Sequence, residues 1–306
     1  MKSIGLSNAM TDVVVAVRDN DLESLKIKKG NYYPIKKIDK NKLERIVKGN
    51  SINIPGGSPA NVIRNLSALG LETGLIFTIG NDKYGKEYAR QLKKQNIENY
   101  GLKISGKSGV CYTLITPDGE RTFVSSKGVS DMLDCNGKYL DDANLFHTSG
   151  YELNSNAVFT HFYFEIAKNK KMITSFDLAD KTMVKKLKKD MLEMMPFIDV
   201  LFMTEEEALE FDKDSPENTQ KQFCDSYDMC VVLKKGKEGS IVRKGKIQYK
   251  IPIVPVEVVN TNGAGDAYAS GFLKKYLDGI DFMSCGYYGS EIASKVCSRN
   301  EPFLIK

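Results

Sequence analysis

The amino-acid sequence predicts an α/β protein with a doubly wound, mostly parallel sheet flanked by helices and a small β-sheet lid. Two observations support this prediction. Short aliphatic runs alternate with longer segments of helical spacing, and two other stretches look like separate β-structure. The chain has 306 residues, 42% hydrophobic and 27% charged, and is long enough to bury a large core. A disulfide-stabilised miniprotein and a disordered chain are therefore excluded.

The strands of the large sheet are predicted from aliphatic runs at residues 73–80, 143–150, 171–179, 199–204 and 229–236. Segments with helical spacing lie between them, among them residues 59–70, 85–96 and 156–169. This alternation indicates right-handed βαβ units and a parallel sheet covered on both faces. A lysine cluster around Leu187 predicts the solvated face of another helix, and the net charge of +5 is too small to indicate a nucleic-acid-binding protein.

Two stretches interrupt the alternation, at residues 12–36 and 109–126. In the second stretch, Pro117, Asp118 and Gly119 lie between two β-rich runs, which predicts a hairpin. Ligands bind at the carboxyl ends of parallel strands, where an added small sheet would act as a lid. We therefore predict a single domain over residues 1–306 whose lid is formed by insertions at about 12–36 and 109–126.

The glycine-rich motif NGAGDA occupies residues 262–267, where a β-rich run leads into a helical pattern. Small residues at a strand-to-helix turn let backbone N–H groups approach an anion, and the amino end of the helix adds favourable partial charge. The backbone of Gly263, Ala264 and Gly265 is therefore a candidate phosphate cradle. Asp266 has two interpretations, as a catalytic carboxylate or as a cap of the first helical turn.

Polar residues also accompany a second glycine-rich motif and the first apolar run. GGSPAN, residues 56–61, fits a tight turn with Ser58 as helix N-cap, and it leaves the Asn61 amide to hydrogen-bond a ligand. Asn8 and Asp12 lie at the end of the first apolar run. Asp is uncommon within a strand pattern, which makes Asp12 notable. Asp12 either starts a lid strand or holds the vicinal hydroxyls of a sugar.

Five motifs follow the order and approximate spacing of the ribokinase-like, or PfkB, sugar and nucleoside kinases, and the chain resembles this family over nearly its whole length. The motifs are G-x-x-N-A-x-x-D at residues 5–12, GGSPAN with its following LG at 56–70, IGNDxxG at 79–85, TEEEA at 204–208 and TNGAGDAYASGFL at 261–273. Either glycine-rich signature is weak alone, but the two together are specific.

The resemblance implies a ribokinase-like domain that uses ATP and Mg²⁺ to phosphorylate a hydroxymethyl group, and it leaves a monovalent cation open as a further cofactor. It implies that Asp266 is the catalytic base and that the backbone of Gly263, Ala264 and Gly265 is the anion hole.

For the acceptor, the resemblance implies that Asp12 grips sugar hydroxyls, with help from Asn8, Gly57 and Asn61. It also implies that Glu207 organises Mg²⁺ through water and that Arg121 in the lid closes on the phosphates. These six roles come from the family motifs.

Two positions depart from the family pattern. Asn260 stands where the second signature commonly begins with Asp, and Thr204 stands where the N-x-x-E motif begins with Asn. We expect both to affect ion binding more than catalysis. Residues 101–108, GLKISGKS, match a P-loop in letters, but a P-loop needs a following helix and residues 109–116 are β-rich, so we interpret them as the loop entering the lid.

The acceptor is the least determined part of the prediction. Motif details resemble adenosine kinases and favour an adenosine-like nucleoside; a free or phosphorylated sugar is the alternative, and a catalytically silent binding or regulatory protein is the alternative from another class. The aromatic residues that could stack on a base, or form the core of the lid, are Tyr32, Tyr33, Tyr112 and Phe123.

The sequence also carries expectations about partners and location. It has no hydrophobic stretch of signal-peptide or membrane-spanning type, which predicts a cytoplasmic protein without membrane partners. We expect a small-molecule nucleoside or sugar substrate, no nucleic-acid partner, and a monomer or a homodimer formed through the lid.

Overall fold

The computed structural model describes residues 1–49, 51–133 and 135–305. The strands are β1 Lys2–Leu6, β2 Met10–Ala16, β3 Tyr32–Pro34, β4 Ser51–Pro55, β5 Glu72–Gly80, β6 Ile97–Ile104, β7 Gly109–Ile115, β8 Arg121–Ser126, β9 Leu145–Ser149, β10 Ile173–Asp177, β11 Val200–Thr204, β12 Cys230–Lys234, β13 Ser240–Lys244 and β14 Ile247–Ile251. The helices are α1 Asp19–Ser24, α2 Lys40–Val47, α3 Ser58–Ala68, α4 Lys83–Lys94, α5 Gly150–Ser155, α6 Ala157–Asn169, α7 Lys181–Met194, α8 Glu205–Ala208, α9 Pro216–Tyr227, α10 Ala264–Leu277 and α11 Phe282–Cys297.

The large sheet confirms the predicted α/β fold. Nine of the described strands form it, in the order β14-β13-β12-β11-β10-β9-β1-β5-β6. Every neighbouring pair from β12 to β6 is parallel, and β13 and β14 add an antiparallel edge. The five predicted aliphatic runs form β5, β9, β10, β11 and β12. Their nearly continuous apolar character follows from burial on both faces.

Helices cover both faces of this sheet, as a doubly wound fold requires. On one face α3, α4, α10 and α11 enclose a core that includes Ile63, Tyr88 and Phe272. On the other face α6, α7 and α9 enclose a core that includes Phe164 and Met191. The lysine cluster lies exposed on α7, which agrees with its prediction as a solvated helix face.

The small sheet has the strand order β3-β8-β7-β2-β4. Its centre contains the predicted hairpin, because β7 and β8 pair antiparallel. Strand β4 lies outside the two predicted stretches but pairs with β2, so the sheet extends further along the chain than its sequence signal. Tyr112 is buried in the core between this sheet and its helices, and Tyr33 packs against that core. These two aromatic residues therefore belong to the sheet's own packing.

Residues 101–104 of the segment that resembles a P-loop are the end of β6 and pair with β5, so the expectation that all of residues 101–108 form a loop is wrong for this half. Residues 105–108 then lead directly into β7, without a helix after them. Ser108 is buried and bonds to the family-like IGNDxxG motif, because the Ser108 hydroxyl donates to Asp82 Oδ1 at 2.7 Å. Lys107 is exposed. This geometry agrees with the rejection of a P-loop.

The chain crosses between the two sheets at several loops, and the residues predicted to bind the acceptor, Asn8, Asp12, Gly57 and Asn61, lie at or near two of them. Residues 7–9 join β1 to β2, residues 56–57 follow β4 into α3, and residues 127–144 lead from β8 to β9. No helix in the described part of the chain has both the length and the apolar character needed to cross a membrane.

Candidate active site

The turn before α10 differs from the expected strand-to-helix turn. The last strand, β14, ends at Ile251, and residues 252–262 are outside any strand in the described structure. Pro252 and Pro255 lie in this segment and have no N–H to donate to a sheet ladder. Gly263 then precedes the helix with a left-handed backbone at φ +76°, and a Cβ there would collide with the Pro302 carbonyl oxygen. This position therefore requires glycine.

The backbone amides of this turn are only partly available for an anion. The Ala264 N–H donates to the Thr261 oxygen at 3.2 Å, and the Ala267 N–H donates to the Gly263 oxygen at 2.8 Å. The amides of Gly265 and Asp266 lie between these two bonds, where a helix leaves N–H groups without intrahelical acceptors. The Ala264 amide is therefore not available to the predicted anion hole, because it already donates to the Thr261 oxygen.

Asp266 is held by two side chains from the start of α3. Ser58 Oγ donates to its Oδ1 at 2.7 Å, and Asn61 Nδ2 donates to its Oδ2 at 2.9 Å. The expectation that Ser58 caps α3 is wrong, because Gly57 is the N-cap residue and makes no side-chain cap bond. Both oxygens of Asp266 therefore accept hydrogen bonds from α3, and among the described residues no helix-capping hydrogen bond of Asp266 supports the capping interpretation.

The electrostatics of Asp266 suit proton transfer near neutral pH. Burial raises the pKa of Asp266 to about 6, and the hydrogen bonds from Ser58 and Asn61 oppose that rise. A carboxylate with a pKa close to the working pH can accept a proton and still be ionised before the reaction. The arrangement can therefore act as a general base.

Asp12 and Asn8 lie beside the same turn. Burial raises the pKa of Asp12 to about 6, and the positive charge of Arg64 opposes this effect. The Asn8 N–H donates to Glu152 Oε1 at 2.9 Å, while Asn8 Oδ1 is buried and lacks a hydrogen-bond partner among the described residues. A buried acceptor without a donor is unfavourable, so a ligand hydroxyl at this atom would stabilise the site.

Gly57 brings these elements close together. Its φ is +100°, and a Cβ there would lie 2.6 Å from the Asn8 carbonyl oxygen. Neighbouring Gly56 also lies close to the site, since a Cβ there would be 2.6 Å from Asp12 Oδ2. The two glycines let the turn into α3 approach the loop between β1 and β2.

A cavity of about 440 Å³ joins these groups, and we call it the Asp266 cavity. Asn8, Asp12, Gly57 and Asn61, the four residues predicted to bind the acceptor, all line it. Its other lining residues are Met10, Tyr32, Ser58, Cys111, Ser125, Lys127, Tyr151, Glu152, Ala179, Asn262, Gly263, Gly265 and Asp266. Sequence reasoning missed Lys127, Tyr151 and Glu152, because no motif marks them.

Arg121 does not line the Asp266 cavity. It lines a wider adjoining cleft of about 860 Å³, which Asp12 and Phe123 also border. Arg121 Nη2 donates to Asn260 Oδ1 at 3.3 Å, and the Asn262 N–H donates to the same oxygen at 3.0 Å. Asn260 Nδ2 donates to the Asn300 oxygen at 3.0 Å. The Asn260 side-chain oxygen already accepts two hydrogen bonds, and its nitrogen can only donate. In this arrangement the Asn260 side chain is therefore unsuited to bind a cation.

Glu207 lies in α8, directly after β11 and near Lys234. It is 3% exposed, and its Oε2 accepts a 2.8 Å hydrogen bond from the Thr204 N–H while Thr204 Oγ1 accepts from the Glu207 N–H. The Thr204 departure from the family motif thus completes a capping box. Burial raises the pKa of Glu207 to about 7, and the charge of Lys234 opposes this rise.

A buried ion pair lies next to Glu207 and was not predicted. Lys234 Nζ at the end of β12 is 2.6 Å from Asp177 Oδ2 at the end of β10. The ammonium would lie 3.4 Å from a Cβ on Gly265, so it is adjacent to the turn before α10. Both residues end aliphatic runs, and the rule that ligands bind at the carboxyl ends of parallel strands could have found them.

The carboxylates here fit Mg²⁺ as kinases usually hold it. Among the described residues, no three side chains of His, Cys, Asp or Glu form a cluster that could enclose a metal ion. Mg²⁺ in phosphoryl-transfer sites is held by one or two carboxylates, with phosphates and water as the other ligands. Glu207 and Asp177 can supply these one or two carboxylate ligands.

Comparisons with known proteins agree with the fold and the motifs. A sequence model described as pfkB family carbohydrate kinase matches residues 31–302. An ATP-dependent ribose-1-phosphate kinase from Halopiger xanaduensis is 29% identical over 251 residues, which cover 80% of each chain. A 5-dehydro-2-deoxygluconokinase from Clostridium perfringens is 29% identical over 276 residues, covering 81% of this chain and 80% of the relative.

Solved structures share the fold at lower identity. A probable sugar kinase from Rhizobium etli superposes with a TM-score of 0.88 at 23% identity, covering 100% of this chain and 95% of the other. An adenosine kinase from Sinorhizobium meliloti superposes with a TM-score of 0.86 at 22% identity, covering 100% and 96%.

Proposed function

The chain belongs to the pfkB family of carbohydrate kinases, and on that basis we propose that it transfers the γ-phosphate of ATP to the hydroxymethyl group of a neutral ribonucleoside of the adenosine type. One observation carries the choice of acceptor. Three carboxylates and one lysine line the Asp266 cavity, together with an aromatic and sulfur-containing wall.

The charge of the cavity favours an acceptor without a phosphate. Its carboxylates are Asp12, Glu152 and Asp266, and its lysine, Lys127, already donates to Ser155 Oγ at 2.8 Å. Burial raises the pKa of Glu152 to about 7, so Asp12 and Asp266 carry most of the negative charge near neutral pH. A phosphorylated sugar would bring a second anion close to these two carboxylates. At an effective dielectric constant near 20, each pair of unit charges 4 Å apart repels by about 4 kcal/mol. One lysine does not offset this, so a neutral acceptor is favoured.

The remaining surface suits a ribose carrying a base. The carboxylate of Asp12 and the unpartnered Oδ1 of Asn8 are two hydrogen-bond acceptors in one cavity, as vicinal hydroxyl donors require. Met10, Tyr32 and Tyr151 supply apolar and aromatic surface in the same cavity. A free sugar would use the hydroxyl acceptors but leave this surface uncovered.

The proposed reaction begins with alignment of the base. Ser58 and Asn61 fix both oxygens of Asp266, and the carboxylate takes the proton of the acceptor hydroxymethyl as the hydroxymethyl oxygen bonds to the γ-phosphorus. The bond from the γ-phosphorus to the β,γ-bridging oxygen breaks at the same time, and ADP leaves with that oxygen. The Gly265 amide and the adjacent Lys234 ammonium stabilise the negative charge that develops on the transferred phosphoryl group. Mg²⁺ held through Glu207 would neutralise phosphate charge. Arg121 would add a further cation if the small sheet closes on the site.

A competition at fixed ATP tests the acceptor. We expect kcat/KM for adenosine or another ribonucleoside to exceed that for ribose, ribose 1-phosphate and fructose 6-phosphate. The named relatives include a ribose-1-phosphate kinase, so phosphorylated sugars are the alternative to exclude. Lys127→Met serves as a companion variant, because it should weaken only acceptors that carry a phosphate. A preference for a free or phosphorylated sugar over every nucleoside would overturn the nucleoside assignment but not the kinase activity.

A further inference from the structure

Arg64 is a charged side chain in the interior of the protein, on helix α3. It is 1% exposed, and no carboxylate in the described part of the chain is within ion-pair distance of its guanidinium. Its Cζ lies 5.1 Å from the ring centroid of Tyr88 and 5.1 Å from that of Phe303. Cation–π contacts stabilise a desolvated guanidinium, but an unpaired buried charge remains unfavourable. Packing alone therefore does not explain why an arginine occupies this buried position.

The hydrogen bonds of Arg64 lead towards the proposed site. Nη1 donates to Asn61 Oδ1 at 3.3 Å and to the Gly56 oxygen at 3.4 Å, and Nε donates to Gln95 Oε1 at 3.2 Å. Asn61 in turn donates to Asp266 Oδ2 at 2.9 Å. Arg64 itself does not line the Asp266 cavity. It therefore reaches Asp266 through one intervening side chain.

This arrangement determines the orientation of the Asn61 amide. A guanidinium can only donate hydrogen bonds, and an ionised carboxylate can only accept them. With Arg64 on one side and Asp266 on the other, a single amide orientation satisfies both, with Oδ1 towards Arg64 and Nδ2 towards Asp266. The reverse orientation would place donor against donor and acceptor against acceptor.

We infer that Arg64 is a positioning residue for phosphoryl transfer: it fixes the Asn61 amide so that Nδ2 holds the Asp266 carboxylate in the orientation that accepts the hydroxyl proton. The inference rests on the proposed role of Asp266 as base. The hydrogen bond to the Gly56 oxygen also ties Arg64 to the turn that packs against Asp12. The positive charge of Arg64 lies close enough to Asp12 to favour its ionised form.

A double-mutant cycle between Arg64 and Asn61 tests the inference, with the best acceptor of the competition as substrate. Arg64→Met keeps an unbranched stem between the two rings but removes the donors. We expect it to lower kcat about 10- to 100-fold with KM for ATP changed less than about threefold. In an Asn61→Ala background the same change should lower kcat less than about threefold, because the intermediary is already absent. An equal factor in both backgrounds would overturn the inference.

Arg64→Lys covers the case in which Arg64→Met does not fold. Lysine keeps the buried charge but lacks the planar fork by which Nε and Nη1 donate to Gln95 and Asn61 from two separate positions. We expect a folded protein with kcat lowered at least about fivefold, and a folded variant with wild-type kcat would refute the positioning role. Arg90→Met, at an exposed arginine paired with Glu87, is the matched control and should match wild type.

Asp266→Asn is measured in parallel to separate the two proposals. If that variant keeps wild-type turnover, the proposed function of Asp266 fails and the positioning role fails with it. If it is inactive while Arg64→Met and Asn61→Ala act independently, only the positioning role fails.

Discussion

Replacement of Asp266 with Asn tests the chemistry of the proposed base. The variant keeps the shape of the side chain, and its amide oxygen can still accept a hydrogen bond from Ser58 or Asn61. A general base contributes about 10²- to 10⁴-fold to the rate, so kcat should fall by a factor in that range. Because ATP does not bind through this carboxylate in the proposed reaction, KM for ATP should change less than about threefold.

The same variant has a predicted effect on stability that depends on pH. Burial raises the pKa of Asp266 from 3.8 to about 6. The folded protein therefore binds this proton more tightly than the unfolded chain, and ionisation at higher pH destabilises the fold. At about 1.4 kcal/mol for each pKa unit, the ionised carboxylate destabilises the folded state by about 3 kcal/mol at pH 7.5 and by about 1 kcal/mol at pH 4.5. The Asn side chain does not titrate.

Urea unfolding of both proteins at the two pH values measures this difference. The unfolding free energy of Asp266→Asn minus that of wild type should be about 2 kcal/mol larger at pH 7.5 than at pH 4.5, so the variant gains stability relative to wild type as pH rises, whatever constant offset the altered hydrogen bonds add. Asp278→Asn, which removes an exposed carboxylate paired with Lys274 at the other end of α10, should leave kcat unchanged. A difference in stability that does not vary with pH would refute the electrostatic reasoning, and near-wild-type turnover would refute the role as base.

Four further predictions concern the surrounding groups. Arg121→Ala should lower kcat/KM for ATP by more than about tenfold; unchanged turnover and ATP affinity would leave Arg121 with only its hydrogen bond to Asn260. Lys107→Ala should change kcat/KM by less than about tenfold because its side chain is solvated, and a loss of several hundredfold would restore the P-loop hypothesis. Glu207→Gln can still accept from the Thr204 N–H but loses its charge, so the Mg²⁺ concentration for half-maximal activity should rise by about tenfold or more; an unchanged requirement would argue against Glu207 as a magnesium residue. Because burial raises the pKa values of Asp12 and Asp266 to about 6, kcat/KM for the acceptor should fall as pH drops below 6 and both carboxylates become protonated, and an acidic limb near pH 4 would contradict this.

Local patterns in the sequence were sufficient to predict most of the large sheet. The aliphatic runs at β5, β9, β10, β11 and β12 are buried on both faces, so their composition alone marks them as strands. Strand β4 was missed, because Ile52 and Asn53 are exposed and the segment lacks that apolar signal. The β-rich run before α10 was misread, because valines favour strands locally while its prolines prevent pairing.

The predicted roles of Asp12, Asp266 and Glu207 came from short motifs, because glycine turns and strand ends leave a local signature. The sequence by itself also marked the two glycine-rich turns before α3 and α10, although the atoms that exclude a side chain at Gly57 and Gly263 come from distant residues. These motifs are encoded within a few neighbouring positions.

Only the tertiary structure decided which side chains meet. Ser58 and Asp266 are 208 positions apart, and their hydrogen bond exists because α3 and α10 pack on the same face of the large sheet. Lys234 and Asp177 meet because β12 and β10 both flank β11. Arg64 carried no signal at all, since its burial depends on Tyr88 and Phe303 from distant segments. Hydrophobic periodicity reports how each segment folds locally. Strand order and helix packing bring distant charged side chains together, and these long-range contacts leave no local pattern in a single sequence.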